Sequence, residues 1–289
     1  MIQMTGKKLF YKYQSLKEDY DKGYNCKNYT LRSLAQNQLY FSDPNNFNDP
    51  FDCRVRVDYT GTEEQWIDFI CNEEGCTPEI AKEKVSHFKK REDGLVFPHS
   101  ESSNLKGPRI CCFSGKNNEI LMWSHYADSH RGICLCFEAT PEHTMPLYES
   151  DVDESPCSGQ FKEVCYDSNN DLCVVSIFGN PHKNAILAEE RVFTKLNMWS
   201  YEQEYRMTLP GYHIHKKETL KYYNGCLKGI IFGLKIDKHD IIRVYKIVNE
   251  NYLKEGFKVK FCEAKEETGK YKINIEEIPD IEQYIANLP

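Results

Sequence analysis

The run Gly132-Ile-Cys-Leu-Cys-Phe137 is apolar at almost every position. Side chains of a strand alternate between two faces, so a strand apolar throughout has to be covered on both and belongs in the middle of a sheet. Further strands are expected at Lys8-Leu-Phe-Tyr-Lys-Tyr13, Gln38-Leu-Tyr-Phe41, Arg109-Ile-Cys-Cys-Phe113, near Val164, at Glu204-Tyr-Arg-Met-Thr-Leu209, at Leu227-Lys-Gly-Ile-Ile-Phe-Gly233, and around Phe257 to Phe261 and Tyr271 to Ile275. Helices are expected after Thr30 as cap, from Glu63 to Cys71, after Thr77 and Pro78, from Glu119 to Tyr126, from Ala185 to Asn197 and from near Asp237 to about Val248. Strands and helices do not alternate regularly. The pattern therefore predicts an α+β fold with mixed, mostly antiparallel central sheets and peripheral helices rather than a doubly wound sheet.

Composition excludes several function classes. Lys plus Arg number 37 and Asp plus Glu 44, a net charge of −7, which argues against coating nucleic acid through total charge. The N-terminal residues lack the apolar core of a signal peptide, and no stretch approaches the roughly 18 apolar residues that cross a bilayer. A cytoplasmic protein without a membrane partner is expected. The 13 cysteines are odd in number, and no C-x-x-C pair occurs; they read as reduced thiols serving as small core residues rather than as a disulfide or zinc framework. The usual phosphate-loop, dinucleotide, zinc-protease and hydrolase motifs are absent.

Three clusters could carry chemistry. In Phe47-Asn-Asp-Pro-Phe-Asp52 the side chains of Asn48 and Asp49 can fold a turn pinned by two aromatics, or Asp49 and Asp52 can bind a cation. In Met122-Trp-Ser-His-Tyr-Ala-Asp-Ser-His-Arg-Gly132 the groups Ser124, His125, Tyr126, His130 and Arg131 gather beside the central strand, where a rigid scaffold would hold them still. The bland alternative is that Trp123 and Tyr126 are core pegs and the histidines cap a helix end. In Trp199-Ser-Tyr-Glu-Gln-Glu-Tyr-Arg206, read as a strand, Glu202, Glu204 and Arg206 share one face and are expected to meet water or a site.

Together with Leu9-Phe-Tyr-Lys-Tyr13 and Cys112-Phe-Ser, these phrases resemble the bacterial domain-of-unknown-function family 2971 (DUF2971), in the family's order from residue 8 to about 235. Because the phrases run that far, one domain over 1–289 is expected, with insertions at 62–107 and 150–181 and a C-terminal extension after about 235. A weaker resemblance, to the ADP-ribosyltransferase fold, rests on Glu202-Gln-Glu204 before an apolar strand and on Tyr11-Lys-Tyr13 at the end of strand one. It implies NAD as substrate, cleaved at the nicotinamide bond by an enzyme of the toxin or antiphage-effector kind. Glu204 would steady the ribosyl cation, and Glu202 would orient the acceptor, a protein or nucleic acid. Lys12, beside Tyr11 and Tyr13, would meet the pyrophosphate, and Tyr126 or Trp123 would stack on nicotinamide. The middle element is open among Ser124, His125 and Tyr126. Lys12 stands where Arg or His is usual, and Arg206 follows the acid where an apolar residue is common. Two other readings stand beside this one: a non-enzymatic module that binds a nucleotide or partner, and a metal-dependent nuclease using Asp49, Asp52 and a histidine.

Overall fold

A computed structural model describes residues 8–20, 26–97, 107–149, 157–169, 171–209 and 218–288. The chain forms two compact units, one of Met1–Asn46, Pro108–Tyr166 and Asn197–Pro289, the other of Phe47–Gly107 and Asp167–Leu196. The second takes in most of the two stretches read as insertions. The linker expected around Gly23 and the Pro210-Gly211 stop lie outside the described residues.

The first unit is built on an eight-stranded sheet. In chain order its strands are β1 (Lys8–Gln14), β2 (Arg109–Ser114), β3 (Ile133–Ala139), β4 (Lys162–Glu163), β5 (Glu204–Leu209), β6 (Leu227–Phe232), β7 (Lys260–Glu266) and β8 (Ile273–Ile278). They lie in the order β4-β5-β2-β1-β3-β6-β7-β8. The apolar strand β3 is central, as its sequence demands, and β1 runs antiparallel beside it with Tyr11 opposite Cys136 and Tyr13 opposite Cys134. Only the β6–β7 pair is parallel among the described pairings of this sheet. A parallel pair needs a crossover, and helix α6 (Lys238–Val248) provides it. Asp237 caps that helix by accepting from the Asp240 amide, while Ile241, Val244 and Val248 repeat at helical spacing and are buried. The α+β expectation holds.

Alternation along the strands gives the sheet two different faces. Phe10, Phe113, Phe137, Tyr205, Met207 and Phe232 belong to the larger core, together with residues of α1 (Tyr29–Ala35), α6 and a four-stranded sheet. The opposite face carries Tyr13, Cys134 and Ile231, packed against Met122 and Trp123. Those last two come from α4 (Ile120–Tyr126). Cys111, Cys134, Cys136 and Cys226 are buried free thiols, in keeping with a core role, whereas Cys157 and Cys165 are exposed.

The second unit has its own core. Trp66, in α2 (Glu63–Glu74), is ringed by Phe69, Phe88, Phe97 and Phe178 at 4.8 to 5.9 Å. Thr62 and Gln65 form a reciprocal capping box at the helix start, and Gly75 ends it in the left-handed conformation. α3 (Pro78–Val85) follows, and strand Val55–Asp58 pairs in parallel with Cys173–Ser176.

Element ends moved in several places. α1 is capped by Asn28, not Thr30, whose hydroxyl instead donates to the carbonyl of Ser15. The helix expected at Ala185–Asn197 spans Pro181–Val192, opened by Asn180 with Pro181 in its first turn, and is α5 here. A terminal helix α7 (Ile281–Asn287), capped by Asp280, was not anticipated. Among the described residues no helix is long and apolar enough to cross a membrane.

Candidate functional site

The candidate site lies where β1 ends. On the face turned toward α4, Tyr13 meets Trp123 edge to face, with centroids 5.1 Å apart, and its hydroxyl donates to the Lys116 carbonyl at 2.9 Å. Burial drives the Tyr13 phenol well above its ordinary range, so it stays neutral. Tyr11, two residues back, is pushed up to about 12 by burial and the neighbouring cysteines. Gln14, the last residue of β1, and Ser15 and Lys17 beyond it line a cleft of about 360 Å³, completed by Tyr29 and Thr30 of α1 and by Tyr126. Thr30 braces the floor through Ser15, while the Tyr29 ring is half exposed with the Arg32 guanidinium 5.6 Å from its centroid. Among the described residues of the lining, Lys17 is the one that carries a formal charge.

Tyr126 is placed by the tight connection from α4 to β3. Asp128, Ser129 and His130 are consecutive left-handed residues, and their amide turns are tied back to the helix, the His130 amide to the Trp123 carbonyl at 3.1 Å. Such a run costs roughly 1–2 kcal/mol per non-glycine residue and persists only where surrounding contacts impose it. Gly132 closes the loop, because a Cβ there would stand 2.1 Å from the Gln14 carbonyl oxygen.

His130 reports on this loop. Its Nε2 lies 3.0 Å from Ser124 Oγ, whose own hydroxyl has the Ile120 carbonyl as acceptor at 2.9 Å, and its Nδ1 is buried without a partner among the described residues. Burial and then Lys235 lower its pKa from 6.5. The unfolded chain therefore takes up this proton before the folded one does. The stability contributed by neutral His130 is complete above 6.5 and is lost as pH falls through the lowered folded-state value. Denaturant titrations at descending pH are expected to show this loss, and His130→Phe should flatten it; an unchanged slope in the variant would assign the acid sensitivity elsewhere.

The cluster at 199–206 departs from expectation. Glu202 is not part of a strand but ends a short 3₁₀ turn over Asn197–Glu202, and β5 begins only at Glu204. None of its three charged residues meets water. Arg206 is fully buried and clasps Glu204 through Nε at 2.7 Å and Nη2 at 2.9 Å, a bidentate pair that follows from same-face spacing on the strand. Glu202 is also buried, and one of its oxygens accepts from the Tyr126 hydroxyl at 2.6 Å.

The cleft thus gathers Tyr13 and Tyr126, with Glu202 directly behind Tyr126. Other expected site residues fall elsewhere. Lys12 projects from the opposite face of β1, where its Nζ donates to the Cys112 carbonyl at 3.0 Å and sits over the Phe113 ring. Trp123 is wholly enclosed and has no ring face to offer a ligand. Ser124 is committed to Ile120 and His130, and His125 is exposed with its ring 6.4 Å from that of Tyr201. Glu204 and Arg206 are committed to each other. Tyr11 packs beneath α4 and does not line the cleft. Asn48 belongs to the second unit. So do Asp49, which accepts from the Phe51 amide, and Asp52, buried 3.5 Å from Lys195. Reading the sequence missed Gln14, Ser15, Lys17, Tyr29 and Thr30. The available signal was their position: a polar run straight after an aromatic strand, followed by a tyrosine at the first turn of a helix.

Residues 122–207 match a family model described as protein of unknown function (DUF2971), which confirms that resemblance over the stretch carrying Tyr126, Glu202, Glu204 and Arg206. No curated protein and no solved structure matches the chain.

Proposed function

Taking the family match as premise, we propose that the first unit is a cytoplasmic binding module for a small anionic ligand with a flat ring, of the nucleotide class. The observation that supports it is the lining of the cleft, which among the described residues holds three tyrosines and one lysine, in a chain whose overall charge is negative. The half-exposed Tyr29 ring offers a stacking surface and Lys17 a partner for phosphate, while Ser15 and Gln14 supply polar edges. ADP-ribose, NAD and ATP are suitable probes. A nucleotide that binds at about 100 times its Kd is expected to stabilise the protein by about 2.7 kcal/mol, read as a rise in Tm. Lys17→Ala and Tyr29→Ala should each weaken binding about tenfold, consistent with one charge-assisted contact or one stacked ring. No shift with any of the three would defeat the proposal.

Cleavage of NAD, with transfer of ADP-ribose to a protein or nucleic acid in bacterial defence, is a second reading. The hydrogen bond that sets the Glu202 carboxylate behind Tyr126 favours it. Release of nicotinamide on incubation with NAD, absent from a Tyr126 variant, separates this reading from simple binding. The nuclease reading draws no support from Asp49 and Asp52, because both are buried and engaged within their own unit.

A further inference from the structure

We propose that Cys71 and Cys76, on either side of the turn after α2, are a redox site: a dithiol that closes to a disulfide by exchange with a small disulfide of the glutathione class. The site belongs to the second unit and is independent of the cleft. An extended chain would hold two residues at this spacing about 17 Å apart. Here the helix end brings them together. Cys71 lies in the last turn of α2, and its carbonyl accepts from the Gly75 amide at 3.0 Å. Gly75 then takes φ +64, the left-handed conformation that ends a helix and folds the next residue back over its last turn. Cys76 is that residue. Its Sγ lies 3.8 Å from the Ile70 carbonyl oxygen, and its thiol interacts directly with that of Cys71. Both are free thiols, partly buried and packed against the core around Trp66, which holds them in place while leaving them within reach of a small oxidant. Cys111 and Cys134, by contrast, are sealed in the first unit.

The surroundings also assign an order to the exchange. Burial, then the adjacent Cys76 and the carboxylates of Asp68 and Glu79, raise the pKa of Cys71, so it keeps its proton at neutral pH and suits the second step. Cys76 attacks first. Its sulfur, as thiolate, displaces one half of the small disulfide and is left as a mixed disulfide. Cys71 then loses its proton, its sulfur attacks Cys76 Sγ, and the second half departs. Each departing small thiolate takes up the proton that its attacker released. Two protein thiols and one small disulfide become one protein disulfide and two small thiols, and two electrons pass from protein sulfur to the small molecule. The product staples the last turn of α2 to the residue before the Thr77-Pro78 start of α3.

The test incubates the full chain in buffers of graded glutathione and glutathione disulfide, quenches with acid, alkylates the remaining thiols and reads the tryptic peptide 57–82 by mass. That peptide contains both cysteines and no other, so the internal disulfide is the form that has lost two hydrogens and carries no alkyl group. It is expected to form at least about tenfold more favourably in the native chain than in urea, a potential about 30 mV more negative, because the fold already holds the two sulfurs together. Cys71→Ser and Cys76→Ser should each leave only a mixed disulfide with glutathione on the remaining sulfur. The native and urea arms use wild type alone, so a variant that fails to fold does not blunt the test. Equal formation in the two arms would overturn the proposal, and so would recovery of both cysteines alkylated across the whole range of buffers.

Discussion

Replacing Arg206 by leucine is expected to destabilise the protein by about 3–5 kcal/mol, a large share of an ordinary domain's total stability. The guanidinium has no exposure and supplies two hydrogen bonds to Glu204, so its loss strips them from the buried carboxylate at the first residue of β5, opposite Ser114 of β2. A single exposed ion pair would be worth a fraction of this. Removing both charges should be far milder: the Arg206→Leu, Glu204→Gln double variant is expected to regain much of the loss, because what costs most is the buried charge that has lost its guanidinium and not the missing attraction. Urea denaturation of the two single variants and the double one decides the matter. Equal destabilisation of all three would show that the pair contributes through shape alone. The same experiment bears on the resemblance to ADP-ribosyltransferases, whose late glutamate must be free to face a sugar. If Glu204→Gln lowers stability by several kcal/mol, the residue belongs to the architecture.

Trp123→Ala carries a comparable expected cost, about 3–5 kcal/mol. The indole is completely enclosed, its Nε1 donates to the Asn117 carbonyl at 2.9 Å, and its ring is the surface on which Tyr13 rests. Truncation would open a cavity under both aromatic walls of the cleft. Thermal unfolding would show the loss, and ligand affinity measured below the new Tm should also fall, since Tyr13 and Tyr126 would no longer be braced. A variant that stays within about 1 kcal/mol of wild type would mean that the face of the sheet collapses onto the void without penalty.

The parts of the fold legible in the sequence were those where one local rule acts alone. The unbroken apolar run at Ile133 to Phe137 could only be central, and it is. The helix starts at Thr77-Pro78 and at Asp237 are readable because a fixed φ decides the first and a short-range hydrogen bond the second. Failures came where tertiary contacts overrode the local pattern. Glu202 and Glu204 look equivalent at a spacing of two, but Gln203 turns left-handed between them and sends one to Tyr126 and the other to Arg206. Lys12 is a different case: it sits between two tyrosines in the chain, and the local alternation of a strand, already readable in the sequence, places it on the other side of the sheet. The cleft itself depends on α1 packing near the end of β1, a long-range arrangement that no spacing encodes.

The position of β1 has a consequence for how the protein is made. It is the first strand of the large sheet to leave the ribosome, yet its two neighbours, β2 and β3, lie roughly a hundred or more residues downstream. At about 5–20 residues per second, the nascent aromatic strand waits on the order of 5–20 seconds with both edges unsatisfied. Chains arrested before Arg109 would keep that sticky segment unprotected indefinitely, and such fragments should depend on chaperones or be degraded.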